Sequence, residues 1–163
     1  MAVTSATYLL PVVDGRRDDL TAALGELIAA DPFGIVTILH LARLVVVEDE
    51  AHGYEPLLLF GATFDGPLSG LAEQLVMVAG QLLDAVFDCC AGFEAPADAT
   101  RLTEFLQSHA IKPSVAFDTY GQPATVVQAA LTAHDRFRWF AAQAQGMTPR
   151  ELKAAFLRDL PIS

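Results

Sequence analysis

Basic residues are scarce in this sequence, which has 10 Lys and Arg against 20 Asp and Glu and a formal net charge of −10. Binding to a nucleic-acid backbone requires clustered Lys and Arg that neutralise phosphates. Anionic membrane surfaces are also recognised by basic clusters. The charge balance therefore argues against both nucleic acid and membranes as partners.

Cysteines and long apolar runs are scarce as well. Cys89 and Cys90 are the only cysteines; adjacent cysteines close only a strained ring, and two thiols make no zinc site. We therefore expect a reduced pair and no metal. No uninterrupted apolar run reaches the ~18 residues of a membrane span. The first ten residues, MAVTSATYLL, lack the basic region and long apolar core of a secretory signal, so we expect a cytoplasmic protein.

Apolar residues, in contrast, are abundant: they make up 53% of the 163 residues, and the mean hydropathy is +0.38. A chain of this length suits one domain, which buries only about 70% of its unfolded surface. The remaining apolar surface usually marks an interface or a ligand cavity. We therefore expect a single domain over residues 1–163 that assembles as a homo-oligomer, most simply a dimer.

The hydrophobic periodicity predicts the order strand, helix, strand, strand, helix, short helix, strand, followed by two helices. Gly and Pro signals separate these elements. The predicted segments are 7–13, 16–31, 37–49, 54–64, 68–90, 98–109 and 112–121, with the two C-terminal helices in 123–163.

This order is the split βαβ arrangement of ferredoxin-like α+β folds, here with a helical C-terminal extension over 123–163. Both crossover helices would cover the same face of an antiparallel sheet and leave the other face uncovered. An apolar face is unstable in water. We therefore predict that a second copy covers it, which would make the assembly a dimeric α+β barrel.

His40 and Arg43 interrupt the apolar strand TILHLARLVVVED. Because side chains alternate along a strand, two residues three apart should point to opposite faces and form no common site within one copy. The pattern favours a neutral, hydrogen-bonded core histidine at His40; the functional alternative is an acid–base group in a cavity, which makes His40 a candidate catalytic residue. A buried Arg43 would need a carboxylate partner, such as Asp65, Asp84 or one from a second copy.

On the facing strand, Gly61 is unusual because glycine in a strand interior often marks a bulge or a close approach. A hollow near Gly61 would place it with Phe60, Phe64 and Asp65, and we predict these four as ligand-binding residues. For Asp65 the alternative is structural, since Asp-Gly before the proline-started helix at Pro67 also suits a turn and cap.

The stretches LHLARLVVVED, LLFGATFDG and DCCAGF, with FDTYGQPATVV further on, resemble an uncharacterised bacterial family with a ferredoxin-like domain. The resemblance covers roughly residues 7 to 140. It implies a fold similar to one half of dye-decolourising peroxidases and to other dimeric α+β barrel proteins. This chain lacks the second half and the Gly-x-x-Asp-Gly motif of those peroxidases, and the fold alone selects no activity.

Three functions remain open. The first is binding of a hydrophobic or aromatic metabolite in a cavity, between sheet and helices or at the dimer interface, with His40 and Arg43 as the polar or catalytic groups. Catalysis would then be cofactor-free, with His40 as a base. The second is a non-catalytic self-assembly module. The third, haem binding through His40, is implied by the resemblance alone.

Overall fold

The computed structural model describes residues 3–49, 54–112 and 122–159. Two compact units appear, Met1–Ala124 and Thr125–Ser163. The first contains a sheet with its helices, and the second is helical. The expectation of one domain over the whole chain stays a prediction.

The sheet of the first unit has four antiparallel strands. They are β1 (Val3–Pro11), β2 (Leu39–Asp49), β3 (Tyr54–Asp65) and β4 (Ala110–Ile111). Their spatial order is β2-β3-β1-β4. This order is that of the split βαβ fold, so the predicted ferredoxin-like α+β class is confirmed.

Three α-helices and one 3-10 helix belong to this unit: α1 (Arg17–Ala30), the 3-10 turn Pro32–Ile35, α2 (Leu68–Phe87) and α3 (Ala99–Ser108). They share one core with the inner face of the sheet, which we define as the buried residues of β1 and β3 together with the β2 residues in register with them. The inner-face residues include Tyr8, Leu10, Leu58, Phe60, Ala62 and Phe64, and from β2 Leu39, Ala42, Leu44 and Val46.

Only some of the helix ends are capped by a residue type that favours capping. Asp98 caps α3, because its side chain accepts a hydrogen bond from the Arg101 N–H at 2.9 Å. Neither Asp18 nor Asp19 caps α1; Arg16 occupies that position without a side-chain cap. The helix ends at Asp31, which adopts a left-handed φ of 42° just before Pro32.

Helix α2 begins after Pro67, as predicted, and has 20 residues. By length and composition it could cross a membrane, alone among the described helices. The core helix of a soluble protein passes the same test, and α2 packs one side into the core beneath the sheet. The buried residues of α2 are Leu71, Ala72, Leu75, Ala79, Leu83, Val86 and Phe87.

The fourth strand differs from its prediction. The described strand β4 is only Ala110–Ile111, which pairs with Tyr8 and Thr7. The sequence had placed it at 112–121, and residues 113–121 lie outside the described part of the chain. The pairing begins earlier because the chain leaves α3 directly beside β1, where the Leu9 N–H donates to the His109 carbonyl at 3.1 Å.

The second unit consists mainly of α4 (Ala124–Gln143) and α5 (Pro149–Asp159). Its helices meet at Phe140 and Phe156, whose ring centroids are 5.8 Å apart. Both helices were predicted. The apolar side of α4 is exposed. The residues concerned are Val126, Val127, Ala130, Leu131, His134 and Phe137.

The face of the sheet opposite the core is apolar and open to solvent. We call it the outer face, and Leu41, Val45 and Val47 on β2 are 52%, 41% and 43% exposed there. This is the uncovered apolar face that the sequence predicts. From strand alternation and register, the outer face comprises Val3, Ser5, Thr7 and Leu9 of β1, Leu41, Arg43, Val45 and Val47 of β2, and Leu57, Leu59, Gly61, Thr63 and Asp65 of β3.

Candidate functional site

A β-bulge at His40 determines the geometry of the site. Leu39 pairs with Phe64 and Leu41 pairs with Thr63, so His40 is an extra residue without a partner on β3. A bulge breaks strand alternation and redirects side chains. The expectation that strand alternation sends His40 and Arg43 to opposite faces therefore does not hold at the bulge.

The bulge brings the imidazole of His40 to Asp65 at the end of β3. Nε2 of His40 lies 3.0 Å from Oδ1 of Asp65. The two side chains are 19% and 2% exposed, although the His40 backbone is open to solvent in the bulge. Asp65 follows the inward-facing Phe64 and therefore belongs to the outer face, as does Arg43.

Asp65 is anchored from three sides. Its second carboxylate oxygen, Oδ2, accepts a hydrogen bond of 2.7 Å from the N–H of Ala124, the first residue of α4. Its own N–H donates to the Ile38 carbonyl at 2.9 Å. The hydroxyl of Thr4 holds the next residue by donating to the Gly66 carbonyl at 2.7 Å. The carboxylate is thus fixed in position before any ligand arrives.

These contacts keep Asp65 ionised. Burial is the strongest influence and raises the pKa of Asp65, but the hydrogen bonds from His40 and the Ala124 N–H outweigh it. The net result is a pKa below the ordinary 3.8.

An ionised carboxylate can only accept a hydrogen bond, so a neutral His40 carries its proton on Nε2. The other ring nitrogen, Nδ1, then presents a lone pair, and no hydrogen bond to Nδ1 occurs within the described part of the chain. A carboxylate that fixes the tautomer of an imidazole and leaves the second nitrogen as a base is the arrangement used in acid–base catalysis.

Arg43 lies on the outer face, opposite Gly61 on β3. Its side chain makes no ion pair or hydrogen bond within residues 3–49, 54–112 and 122–159, and it is exposed rather than buried. Pairing with Asp65 or Asp84 is ruled out: Asp65 binds His40, and Oδ1 of Asp84 accepts from the Ala97 N–H at 3.1 Å. A carboxylate from a second copy remains a prediction.

The other predicted ligand residues are divided between the two faces. Gly61 lies on the outer face, and a methyl group built on it would meet only Cδ2 of Leu59, at 4.0 Å. Phe60 and Phe64 are 1% and 0% exposed in the core. The site on the outer face therefore includes Gly61 and Asp65 but neither phenylalanine.

The described cavities lie elsewhere. One of 450 Å³ is enclosed by α1, the 3-10 turn and β2, and its lining includes Leu24, Ile28 and Phe33. Others, of 370 and 500 Å³, lie beside Phe93 and along α2. None of these is lined by His40, Arg43 or Gly61. The hollow expected near Gly61 stays a prediction.

Few side chains in the described part of the chain are placed to ligate a metal ion. Among the described residues, no group of three or more His, Cys, Asp or Glu is placed to hold a metal ion. Haem binding through His40 stays a prediction.

Sequence reasoning missed the Ala124 N–H and the Ile38 carbonyl as partners of Asp65. Both are backbone groups, so their residue types carry no signal. The bulge was also missed. Leu39, His40 and Leu41 fit regular strand alternation, so their residue types gave no signal of it.

The chain matches no family model and no curated protein sequence. Among solved structures it is similar to tetracenomycin F2 cyclase from Streptomyces glaucescens, a type-II polyketide cyclase. The identity is 10%, the TM-score is 0.45, and the match covers 71% of this chain and 98% of that chain. At that score the similarity supports no transfer of function. The resemblance to a peroxidase half stays a prediction.

Proposed function

We propose that this protein binds a hydrophobic small molecule on the outer face of its sheet and transfers a proton to or from it without a cofactor. His40 is the base in this proposal, and Asp65 positions it. The observation that carries the proposal is the 3.0 Å contact between the imidazole and a buried, independently anchored carboxylate.

The alternative for His40 was a histidine that only fills the core. Such a histidine would be buried, and its ring nitrogens would be hydrogen-bonded, usually to backbone groups. His40 instead retains an accessible edge and is bonded to a carboxylate that lowers its freedom to rotate. An oriented base of this kind contributes roughly 10²- to 10⁴-fold to proton transfer.

The surface around the His40–Asp65 pair supplies the apolar part of a binding site. Leu41 lies next to the pair, and Val45 and Val47 continue the exposed apolar row farther along β2. We propose that a second copy of the chain covers this face, which would enclose the ligand and exclude water. The same exposed residues favour the second candidate function, a self-assembly module without catalysis.

Exchange of a carbon-bound proton tests the proposal. The probe is 2-tetralone, a neutral bicyclic ketone with an acidic C–H, incubated with the protein in D₂O and followed by proton NMR. We expect wild-type protein to accelerate loss of the C1 proton signal, and His40→Gln to lower that acceleration by roughly 10²-fold. His134→Gln is the matched control, because the His134 side chain is 64% exposed in the second unit.

Equal exchange rates in wild-type and His40→Gln protein would contradict the proposal and favour the assembly module. Haem binding is tested separately by the absorption spectrum of the purified protein. A Soret band that disappears in His40→Ala would establish it.

A further inference from the structure

Arg43 is isolated from other charges. In the sequence it is the only Lys or Arg between Arg17 and Arg101. It is therefore the only cation on the three long strands, in a chain whose net charge is −10. No acidic side chain neutralises it within the described residues.

The immediate neighbours of Arg43 on the outer face are uncharged. Leu41 and Val45 flank it along β2, and Gly61 lies opposite on β3, with Leu59 and Thr63 on the two diagonals. Apolar neighbours exclude water from one side of the guanidinium, which strengthens any charge-assisted hydrogen bond that it makes.

Gly61 keeps the space beside Arg43 open. A side chain at that position would project onto the outer face directly across from the guanidinium. The only atom near a methyl group built there is Cδ2 of Leu59, at 4.0 Å. Packing within this copy does not require glycine at this position, so the space it leaves is available to a ligand.

We infer that the ligand of the outer face is an amphiphilic anion, with an aromatic or aliphatic body on the apolar residues and a carboxylate held by Arg43. A planar guanidinium donates two parallel hydrogen bonds to a carboxylate. The ammonium group of a lysine does not form this paired contact. The inference rests on the proposed function, because it names the ligand class of that same surface.

The strand register allows a single ligand molecule to contact Arg43 with its carboxylate and to approach His40, the proposed base. Gly61, opposite Arg43, and Asp65, which holds His40, are four residues apart on β3. At 3.3 Å per residue this is ~13 Å along the strand, and both side chains shorten the gap. A bicyclic or similarly sized acid would contact Arg43 with its carboxylate while its far end approaches His40.

A matched pair of probes tests this inference. 2-Naphthoate and 2-naphthamide have the same rings and differ in charge, and their binding is measured by calorimetry at 0.15 M salt. We expect wild-type protein to prefer the carboxylate, and Arg43→Gln to weaken 2-naphthoate at least tenfold while the amide is unchanged. Arg43→Lys should recover only part of the affinity. Arg101→Gln, on the surface of α3, is the control for a change in net charge.

The inference is overturned if wild-type protein binds the two probes equally, or if Arg43→Gln weakens both alike. It is also overturned if Arg43→Gln leaves naphthoate binding intact but dissociates a dimer in gel filtration, since Arg43 would then pair with a second copy. Circular dichroism confirms that each variant is folded. Exchange of 2-tetralone, which has no anion, reports on the proposed function independently of these outcomes.

Discussion

At the scale of single residues, one inserted position determines the geometry of the candidate site. Without the bulge, His40 would follow strand alternation and point into the core beneath the helices. With it, the imidazole reaches Asp65 on the face that also carries Arg43. The two candidate residues that alternation separates therefore share one surface.

Asp65 makes the stability of the fold depend on pH. Its folded-state pKa is lowered, because the hydrogen bonds from His40 and Ala124 outweigh the opposing effect of burial. This stabilisation is complete above the unfolded value, near 3.8, and is lost as the pH falls through the folded pKa. Urea titrations at pH 7 and pH 3 should show a larger drop in the free energy of unfolding for wild type than for Asp65→Asn. Equal drops would contradict this account of Asp65.

The thiols provide a second test at this scale. Burial first, and then the neighbouring Cys89, raise the pKa of Cys90 to about 12. Because the thiolate is the reactive form, Cys90 should resist Ellman's reagent at pH 8 in the folded protein and react once urea unfolds it. The Cys89→Ala variant isolates the Cys90 signal. Rapid labelling of that variant without urea would show that Cys90 is accessible.

At the scale of elements, local signals located most helices and strands but not their finer features. Asp98 illustrates a signal that works: a capping residue acts through its own side chain, so its type is informative. The bulge at His40 illustrates one that fails, because it arises from register with β3 rather than from residue type. The apolar side of α4 shows a third case, since periodicity indicates a helix but not whether a partner covers it.

The cap at Asp98 should contribute measurably to stability. Its side chain satisfies the N–H of Arg101 in the first turn of α3, and loss of such a cap typically costs ~1 kcal/mol. We expect Asp98→Ala to lower the free energy of unfolding in urea by about that amount, and Asp98→Asn to retain most of it. An Ala variant as stable as wild type would show that this cap is dispensable.

At the scale of the whole molecule, the predicted fold class and the uncovered apolar face both follow from pattern and composition. The candidate site does not, because it depends on backbone groups of Ala124 and Ile38 that lie far apart in sequence. Such long-range backbone contacts leave no trace in residue type. Only the fold, which brings Ala124 and Ile38 to the end of β3, reveals them.

The outer face should also govern self-association. A lysine placed among exposed apolar residues is costly to bury, so Val45→Lys should shift the protein toward monomer in gel filtration with light scattering. Met77→Lys is the matched control, because Met77 is 78% exposed on α2, away from this face. A wild-type monomer, or the same mass for both variants and wild type, would exclude the proposed dimer through the outer face.

The most direct test of the central claim, that Asp65 fixes His40 as an oriented base, is the histidine tautomer measured by long-range ¹H–¹⁵N NMR. At a pH where the ring is neutral, we expect His40 to carry its proton on Nε2 and to have a bare Nδ1. Protonation of His40 on Nδ1, or a rapid mixture of both tautomers, would contradict the claim.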